Sequence, residues 1–438
     1  MRRREETKPV GLTQPRGPGA SRRPYLKRIE EQVCAGDHTL VSLSLGPELN
    51  VEEDAEPHAW TLALDRLAVD EKVLFLVAAG NQGTSDAESG ANRIGVPADL
   101  ANGLSIGACD RPHPETWQRA PYSSVGPGRP GARVAPVAVA HGGDIEGGAP
   151  FGCVLPGGRR GHSEGTSLAT PAVARGAAEL ADALGDRATV NALRAFVVHH
   201  ADRHPTHPCT EIGYGRLPES FATQLDCPPH RATVLYEGAL QRGESITVRM
   251  PLPDGVLDAV KTKTVKLRWT LTFTTPIDGA DAVEYGRSGI EIYFRPDADN
   301  FELRREDDPD VTINRRERPE FFAAYVRAAW VPADRPKTRP KKGYAPEVAK
   351  RQRDGKWESI IRVDDSMKAK TLWRPAFDLS FVAREHGDLT DAHAPVTLPY
   401  ALVATLEAPA GVPLYDRIRA AYPVLTPLVA ELPVTVPT

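Results

Sequence analysis

The segment of residues 165–171, Gly-Thr-Ser-Leu-Ala-Thr-Pro, constrains the fold of this chain more than any other feature. A helix tolerates proline only near its start, so Pro171 places the first turn of a helix at residues 166–171. Alanine or glycine occupies five of the seven positions 172–178, and these small residues let a helix approach a sheet closely. We therefore predict a buried helix, packed on a sheet, with Ser167 in its first turn.

Ser167 in this position is a candidate nucleophile. A serine hydroxyl attacks a carbonyl group only when a base removes its proton and nearby donors stabilise the oxyanion that forms. Free backbone N–H groups and the positive end of the helix dipole meet the second requirement at a helix start. From this segment alone the alternative stays open that it is a glycine-capped helix start with a solvated serine.

A second segment supports the catalytic interpretation. Residues 73–79 are a continuous apolar run that ends at Gly80 and Asn81. Such a run predicts a buried parallel strand, and ligand sites of open α/β sheets form at the carboxyl ends of strands. We predict that the Asn81 amide donates to the same oxyanion as the Ser167 backbone. The alternative is that residues 81–83 only form a turn.

Together and in this order, the two motifs resemble the subtilase family of subtilisin-like serine peptidases. Further segments agree with the resemblance, which covers residues 38–222: 41–46, 96–98, 104–108, 122–126, 194–201 and 213–217. It implies a subtilisin-like α/β fold, a parallel sheet with helices on both faces. It also implies an endopeptidase that hydrolyses polypeptide substrates, with Ser167 as nucleophile and Asn81 as oxyanion donor.

The Asp and His of the family's catalytic triad are not visible. In subtilases both precede the Asn motif, whereas residues 1–24 are charged and rich in proline and glycine, without an apolar strand. The fold is therefore predicted to be N-terminally incomplete. His38, His141 and His162 are interpreted as surface or loop histidines. The adjacent Asp37 and His38 would point to opposite faces of a strand and could not easily form one relay. His141 lacks the Thr and the helix of the family's His-Gly-Thr turn, and His162 lies in the loop that leads to Ser167. We assign no base within the chain.

Two interpretations follow. The first is a serine endopeptidase whose Asp and His come from sequence missing from this chain, or from a partner chain. The second is a catalytically inactive pseudo-protease or remnant that acts as a binding module, since members of a triad act as a unit. An upstream reading frame that encodes an Asp-Thr-Gly strand and a His-Gly-Thr helix would favour the first.

The missing strands also bear on folding. Without them the sheet that contains residues 40–45 and 73–79 has an uncovered apolar edge, which invites aggregation or strand addition. We predict that the isolated chain associates or is poorly soluble.

Composition narrows the class further. A net charge of −4 over 438 residues argues against a nucleic-acid partner. The sequence contains no run of about 18 apolar residues, so no membrane span is predicted. No apolar signal segment follows the basic N-terminus. We expect a cytoplasmic protein, and the resemblance favours a bacterial one. The five cysteines are widely spaced without a C-x-x-C pair, and no acidic loop matches a calcium site, so neither a metal nor another cofactor is predicted.

A domain boundary is predicted near residues 226–230. Beyond it the sequence alternates polar and apolar residues, which predicts half-buried antiparallel strands and a β-rich, sandwich-like domain. The predicted strands are 245–250, 264–273, 290–294, 376–381 and 400–406, followed by a short helix near 414–418. The predicted domains are a charged segment at 1–37, a partial peptidase domain at 38–226 and the β-rich domain at 227–438.

The β-rich domain carries no chemical motif. Its Lys- and Arg-rich segment at 332–346 is interpreted as a solvated loop, with a phosphate-binding site as the alternative. Some bacterial cytoplasmic subtilases with a similar layout are encoded beside an AAA-type ATPase, so the resemblance makes such an ATPase a candidate partner.

Overall fold

The structure is a computed structural model. It describes residues 23–428 except 53–54, 114, 283, 306–310, 329–330, 333–356, 384–396 and 427. The predicted loop at 332–346 thus lies outside the described residues from 333 onward. The helices are α1 (Arg23–Ala35), α2 (Ala59–Asp70), α3 (Thr166–Leu184), α4 (Val190–His199), α5 (Cys209–Ile212), α6 (Pro319–Arg327) and α7 (Leu414–Ala421).

The strands of the first half are β1 (Leu40–Leu43), β2 (Leu74–Ala78), β3 (Leu104–Cys109), β4 (Ala138–His141), β5 (Phe151–Val154) and β6 (Arg160–Ser163). Those of the second half are β7 (Arg231–Gln241), β8 (Ser245–Arg249), β9 (Thr264–Phe273), β10 (Ser288–Arg295), β11 (Asn300–Arg304), β12 (Val311–Asn314), β13 (Val331–Pro332), β14 (Ile360–Lys368), β15 (Ala376–Ala383) and β16 (Thr397–Glu407).

Strands β1 to β4 form a parallel sheet in the order β1-β2-β3-β4. Successive side chains of a strand point to opposite faces, and β2 shows this directly. Leu74 and Leu76 belong to the apolar cluster that contains α3 and α4, whereas Phe75 and Val77 belong to the cluster that contains α1 and α2. Helices therefore cover both faces of the sheet.

Helix α1 was not predicted. Its residues Ile29 and Val33 are buried against Trp60 and Leu64 of α2. The apolar positions follow helical spacing, but charged residues between them hide the pattern in the sequence. Part of the predicted segment 1–37 is thus a helix that covers one face of the parallel sheet.

Beyond the predicted boundary the strands are antiparallel. One sheet has the order β14-β9-β16-β7 and a second has the order β10-β15-β8. Buried residues of both sheets share one apolar cluster, in which Trp269 of β9 stacks on Phe294 of β10 at 5.4 Å between ring centroids. A third, small sheet has the order β12-β11-β13. Two packed antiparallel sheets thus account for the alternating sequence pattern.

Helix α4 lies between the parallel sheet and the sheet of β14, β9, β16 and β7. Its buried Phe196 shares an apolar cluster with Ile106 of β3 and with Ala401 and Val403 of β16. The apolar core therefore runs without interruption across the boundary that the sequence predicted near residue 226.

A buried arginine joins the two parts. Arg194 of α4 is fully buried and donates to the Phe273 carbonyl at 2.9 Å, to the Ala101 carbonyl at 3.0 Å and to Ser359 Oγ at 2.7 Å. Burial lowers the pKa of its guanidinium to about 10, so the group stays charged at neutral pH. A buried charge without such partners is very costly, so these contacts tie the C-terminal sheet to the parallel sheet.

Among the helices of the described residues, none combines the length and hydropathy that a membrane span requires.

Strand β1 is one of the two edge strands of the parallel sheet within the described residues. The Leu74 N–H of β2 donates to the Thr39 carbonyl at 3.0 Å. Because the hydrogen-bonding groups of successive residues point to opposite sides, those of the exposed Ser42 point away from β2. This edge of β1 is therefore a candidate surface through which the isolated chain would associate.

We expect the purified chain to associate with rising concentration, as measured by size-exclusion chromatography with light scattering. The Ser42→Pro variant should associate less, because proline removes the outward N–H and leaves the pairing with β2 intact. Ser42→Ala, which keeps that N–H, is the matched control. A wild-type chain that is a monodisperse monomer with a cooperative melting transition would contradict the prediction.

Candidate active site

Ser167 lies in the first turn of α3, at the position that the sequence indicated. The helix begins at Thr166, and the residue before it, Gly165, has φ of +146°. This backbone conformation favours glycine, because a side chain is strained there. Ser167 is exposed, while the following turn of the helix is buried against the sheet.

Asn81 follows the carboxyl end of β2 and contacts the start of α3. Its Oδ1 atom accepts hydrogen bonds from the Thr166 N–H and the Thr166 hydroxyl, both at 3.0 Å. The Gly80 N–H donates in turn to Thr166 Oγ1 at 3.2 Å. The structure therefore brings together the two residues predicted for the site, and Thr166 fastens the end of β2 to the start of α3.

The same contacts orient the Asn81 amide. A backbone N–H is an obligatory donor, so the atom that faces the Thr166 N–H has to be the oxygen. The Nδ2 group then points the other way, and within the described part of the chain it has no hydrogen-bond partner. The Ser167 N–H likewise has no acceptor among the described residues.

These two donors border one space. A Cβ atom placed on Gly165 would lie 3.5 Å from Asn81 Nδ2 and 3.7 Å from the Ser167 nitrogen. Both distances are ordinary van der Waals contacts, so the space beside Gly165 admits an atom between the two donors. Two N–H groups that meet at the start of a helix form a pocket suited to an oxyanion.

Among the described residues, none of the three histidines considered in the sequence hydrogen-bonds to Ser167 or Asn81. His38 is exposed in the turn before β1, and His162 is exposed on the hairpin of β5 and β6. His141 ends β4, with its ring centroid 5.1 Å from that of Phe151, and burial lowers its pKa. No hydrogen bond between described residues joins a histidine or carboxylate side chain to the Ser167 hydroxyl.

Thr166 and Tyr122 contribute to the site in ways that the sequence did not indicate. Thr166 lies inside the motif of residues 165–171, next to Ser167, and this position was the signal that the sequence offered. Its contact with Asn81 became visible only in the fold. Tyr122 gave no signal, because its contacts depend on two distant loops. Its hydroxyl accepts from the Gly165 N–H at 2.9 Å and donates to the Gly143 carbonyl at 2.7 Å.

In the part of the chain that the structure describes, no group of three or more His, Cys, Asp or Glu side chains is arranged to hold a metal ion.

Comparisons with known proteins give a match to one family model and partial similarity to several solved protease structures. No curated protein gives a significant match to the sequence. The self-cleaved protease domain of PatA is 25% identical over 46% of this chain and 66% of that chain, with a TM-score of 0.34. The epidermin leader peptide processing serine protease EpiP from Staphylococcus aureus is 19% identical over 44% of this chain and 52% of that chain, with a TM-score of 0.36.

The prenylagaramide maturation protease PagA is 22% identical over 44% of this chain and 64% of that chain, with a TM-score of 0.33. The chain thus spans between 52% and 66% of the length of these three proteins. The model of the subtilase family matches residues 14–215, so its match begins before α1 and includes both Asn81 and Ser167. Residues 14–215 of this chain are therefore similar to the subtilase family.

Proposed function

We propose that this chain is a subtilisin-like serine endopeptidase that hydrolyses peptide bonds of polypeptide substrates. Ser167 is the nucleophile, and Asn81 Nδ2 and the Ser167 N–H are the oxyanion donors. The observation that supports this proposal most is that both donors border the space beside Gly165, next to an exposed serine at a helix start.

The chemistry follows from these positions. The Ser167 oxygen attacks the peptide carbonyl carbon, its proton passes to a base, and the carbonyl oxygen becomes an oxyanion. That oxygen accepts hydrogen bonds from the two donors, which are held in place before the reaction by Thr166 and by the helix. When the oxyanion collapses, the base returns the proton to the leaving amine, and water then hydrolyses the acyl-enzyme.

We propose that the Asp and His of the triad reach Ser167 from sequence outside this chain or from a partner chain. The position of β1 supports this. Ser44, just beyond the end of β1, donates to the Ser167 carbonyl at 3.4 Å. A strand added to the open side of β1 would therefore enter beside the nucleophile.

The second candidate function is a pseudo-protease that acts as a binding module. The observation that favours it is that the described residues place no base at the Ser167 hydroxyl. The AAA-type ATPase partner and the cytoplasmic location stay predictions, because no contact of the described residues bears on them.

A fluorophosphonate serine probe tests the proposal, since it labels only an activated hydroxyl. The full chain is treated with the probe alone and together with the product of any upstream reading frame that encodes the Asp and His motifs. We expect labelling at Ser167 only in the mixture, located by mass spectrometry. Ser167→Ala should abolish it, whereas Ser163→Ala, a change on β6 outside the site, should leave it unchanged.

Each outcome decides one part of the proposal. If the chain labels at Ser167 alone, it contains an unrecognised base and the proposed external Asp and His are wrong, while the peptidase assignment stands. If Ser167 labels neither alone nor in the mixture, the peptidase proposal is overturned and the binding module is supported.

A further inference from the structure

We propose that Tyr122 is a positioning residue that sets the spacing between the two oxyanion donors. This inference rests on the proposed function of Ser167 and Asn81. Tyr122 and its neighbours contact the elements that carry both donors.

The side chain of Tyr122 holds the residue that precedes α3. The Gly165 N–H is shared between the Tyr122 hydroxyl at 2.9 Å and the Gly142 carbonyl at 3.0 Å. Gly165 has no side chain that could cap the helix. Its φ of +146° lies in a sparsely populated region of backbone conformation, which persists only where the surrounding structure holds it. The hydroxyl therefore fixes the peptide from which α3 and the Ser167 N–H begin.

The backbone of Tyr122 and of a neighbouring residue holds the other donor. The Tyr122 carbonyl accepts from the Gly83 N–H at 2.7 Å, in the turn that follows Asn81. The Ser124 N–H donates to the Gly80 carbonyl at 3.0 Å, immediately before Asn81. One short segment thus supports the loop of Asn81 through its backbone and the start of α3 through a side chain.

The hydroxyl has the right chemical form for this role. It has to accept from Gly165 and donate to the Gly143 carbonyl, which requires the neutral phenol. Burial raises the pKa of Tyr122 well above its ordinary value, so the proton stays in place at neutral pH. Gly142 leaves room for the hydroxyl, since a Cβ atom there would lie 2.9 Å from it.

The segment that carries Tyr122 is itself fixed away from α3. Arg119 donates to the carbonyls of Pro121 at 3.2 Å and Ser123 at 2.5 Å. Its guanidinium also pairs with Glu211 at 3.3 Å. The position of the Tyr122 hydroxyl is therefore set by neighbours other than the two donors, which is what a positioning residue requires.

The Tyr122→Phe variant of the full chain tests the inference, with Tyr214→Phe as the matched control. The Tyr214 hydroxyl also donates to a backbone carbonyl, that of Ile360 at 2.6 Å, but at the contact with the C-terminal sheet. Hydrogen exchange, measured by mass spectrometry on peptides covering residues 165–168, should be about tenfold faster in Tyr122→Phe only.

A second readout separates positioning from general stability. Under conditions in which wild type labels, Tyr122→Phe should lower the maximal fluorophosphonate labelling rate of Ser167 by about tenfold to a hundredfold. The probe concentration at half-maximal rate should stay the same. Tyr214→Phe should leave both kinetic values unchanged even if it lowers the melting temperature as much.

Unchanged exchange at residues 165–168 in Tyr122→Phe would overturn the inference, as would a labelling rate equal to that of wild type. If wild type itself never labels, the proposed function fails. The exchange measurement then decides alone whether Tyr122 holds the start of α3.

Discussion

Removal of residues 227–438 is expected to leave the remaining chain unable to fold. Helix α4 packs on the parallel sheet with one side and on β9 and β16 with the other. Without those strands, apolar side chains of α4 such as Phe196 lose the part of their cover that Ala401 and Val403 of β16 provide. Exposing a large apolar side chain costs about 1.5–3 kcal/mol, and whole domains are stable by only about 5–15 kcal/mol. Three or four such exposures would cost about 5–12 kcal/mol, which is comparable to the entire stability of a domain.

Lost polar contacts add to this effect. Arg194 would lose its bonds to the Phe273 carbonyl and to Ser359 Oγ, and Asn191 would lose its bond to the Pro399 carbonyl at 2.9 Å. Removing the partners of a buried charge is strongly destabilising.

Circular dichroism and thermal melting of the 1–226 chain would show the effect, with the full chain for comparison. The matched control co-expresses residues 1–226 and 227–438 as two chains, and we expect this pair to associate and melt cooperatively. A soluble 1–226 chain that melts cooperatively by itself would show that the C-terminal sheets are dispensable for folding.

This dependence changes the role expected for the C-terminal part. The sequence left open whether the β-rich region restricts substrate access, recognises substrate or docks a partner. Its contacts with α4 give it a structural role that comes before any of these, because α4 packs between the parallel sheet and the C-terminal strands β9 and β16. The predicted boundary near residue 226 is therefore a change of sequence pattern without a break in the core.

Strands were predictable wherever the pattern depended on local neighbours. The apolar run at 73–79 became β2 because a strand covered on both faces has no polar side, and the alternation at 264–273 became β9. The start of α3 was also predicted from a short local motif, although Pro171 lies inside the helix, at its sixth residue. Each of these signals is contained in fewer than a dozen consecutive residues.

The remaining features depend on residues far apart in the chain. The partners of Arg194 are 79, 93 and 165 positions away, so nothing in its local sequence marks it as buried. Tyr122 and Gly165 are 43 positions apart, and only the fold brings them together. Within the site, sequence motifs identified Ser167 and Asn81 as candidates, but the shared space between their donors became visible only with the backbone of Gly165 in place.

The Asn81→Asp variant is expected to lose nearly all labelling of Ser167 while keeping its fold. Aspartate retains an oxygen where Asn81 Oδ1 accepts from the Thr166 N–H and hydroxyl, so the link between β2 and α3 is preserved. It replaces the Nδ2 donor with a second, negatively charged oxygen, which repels an oxyanion. Loss of one oxyanion donor typically lowers turnover by about 10²–10³, and the added charge should bring the loss to at least that size.

Asn81→Ala serves as the comparison, because it removes the donor and the acceptor together. It should lower the labelling rate by about 10²–10³ and also lower the melting temperature, since Thr166 loses two hydrogen bonds. Maximal labelling rates and melting temperatures of both variants, measured under conditions in which wild type labels, separate the two functions of Asn81. If Asn81→Asp labels as fast as wild type, the Nδ2 group is not an oxyanion donor, and Asn81 acts only as the acceptor that holds the start of α3.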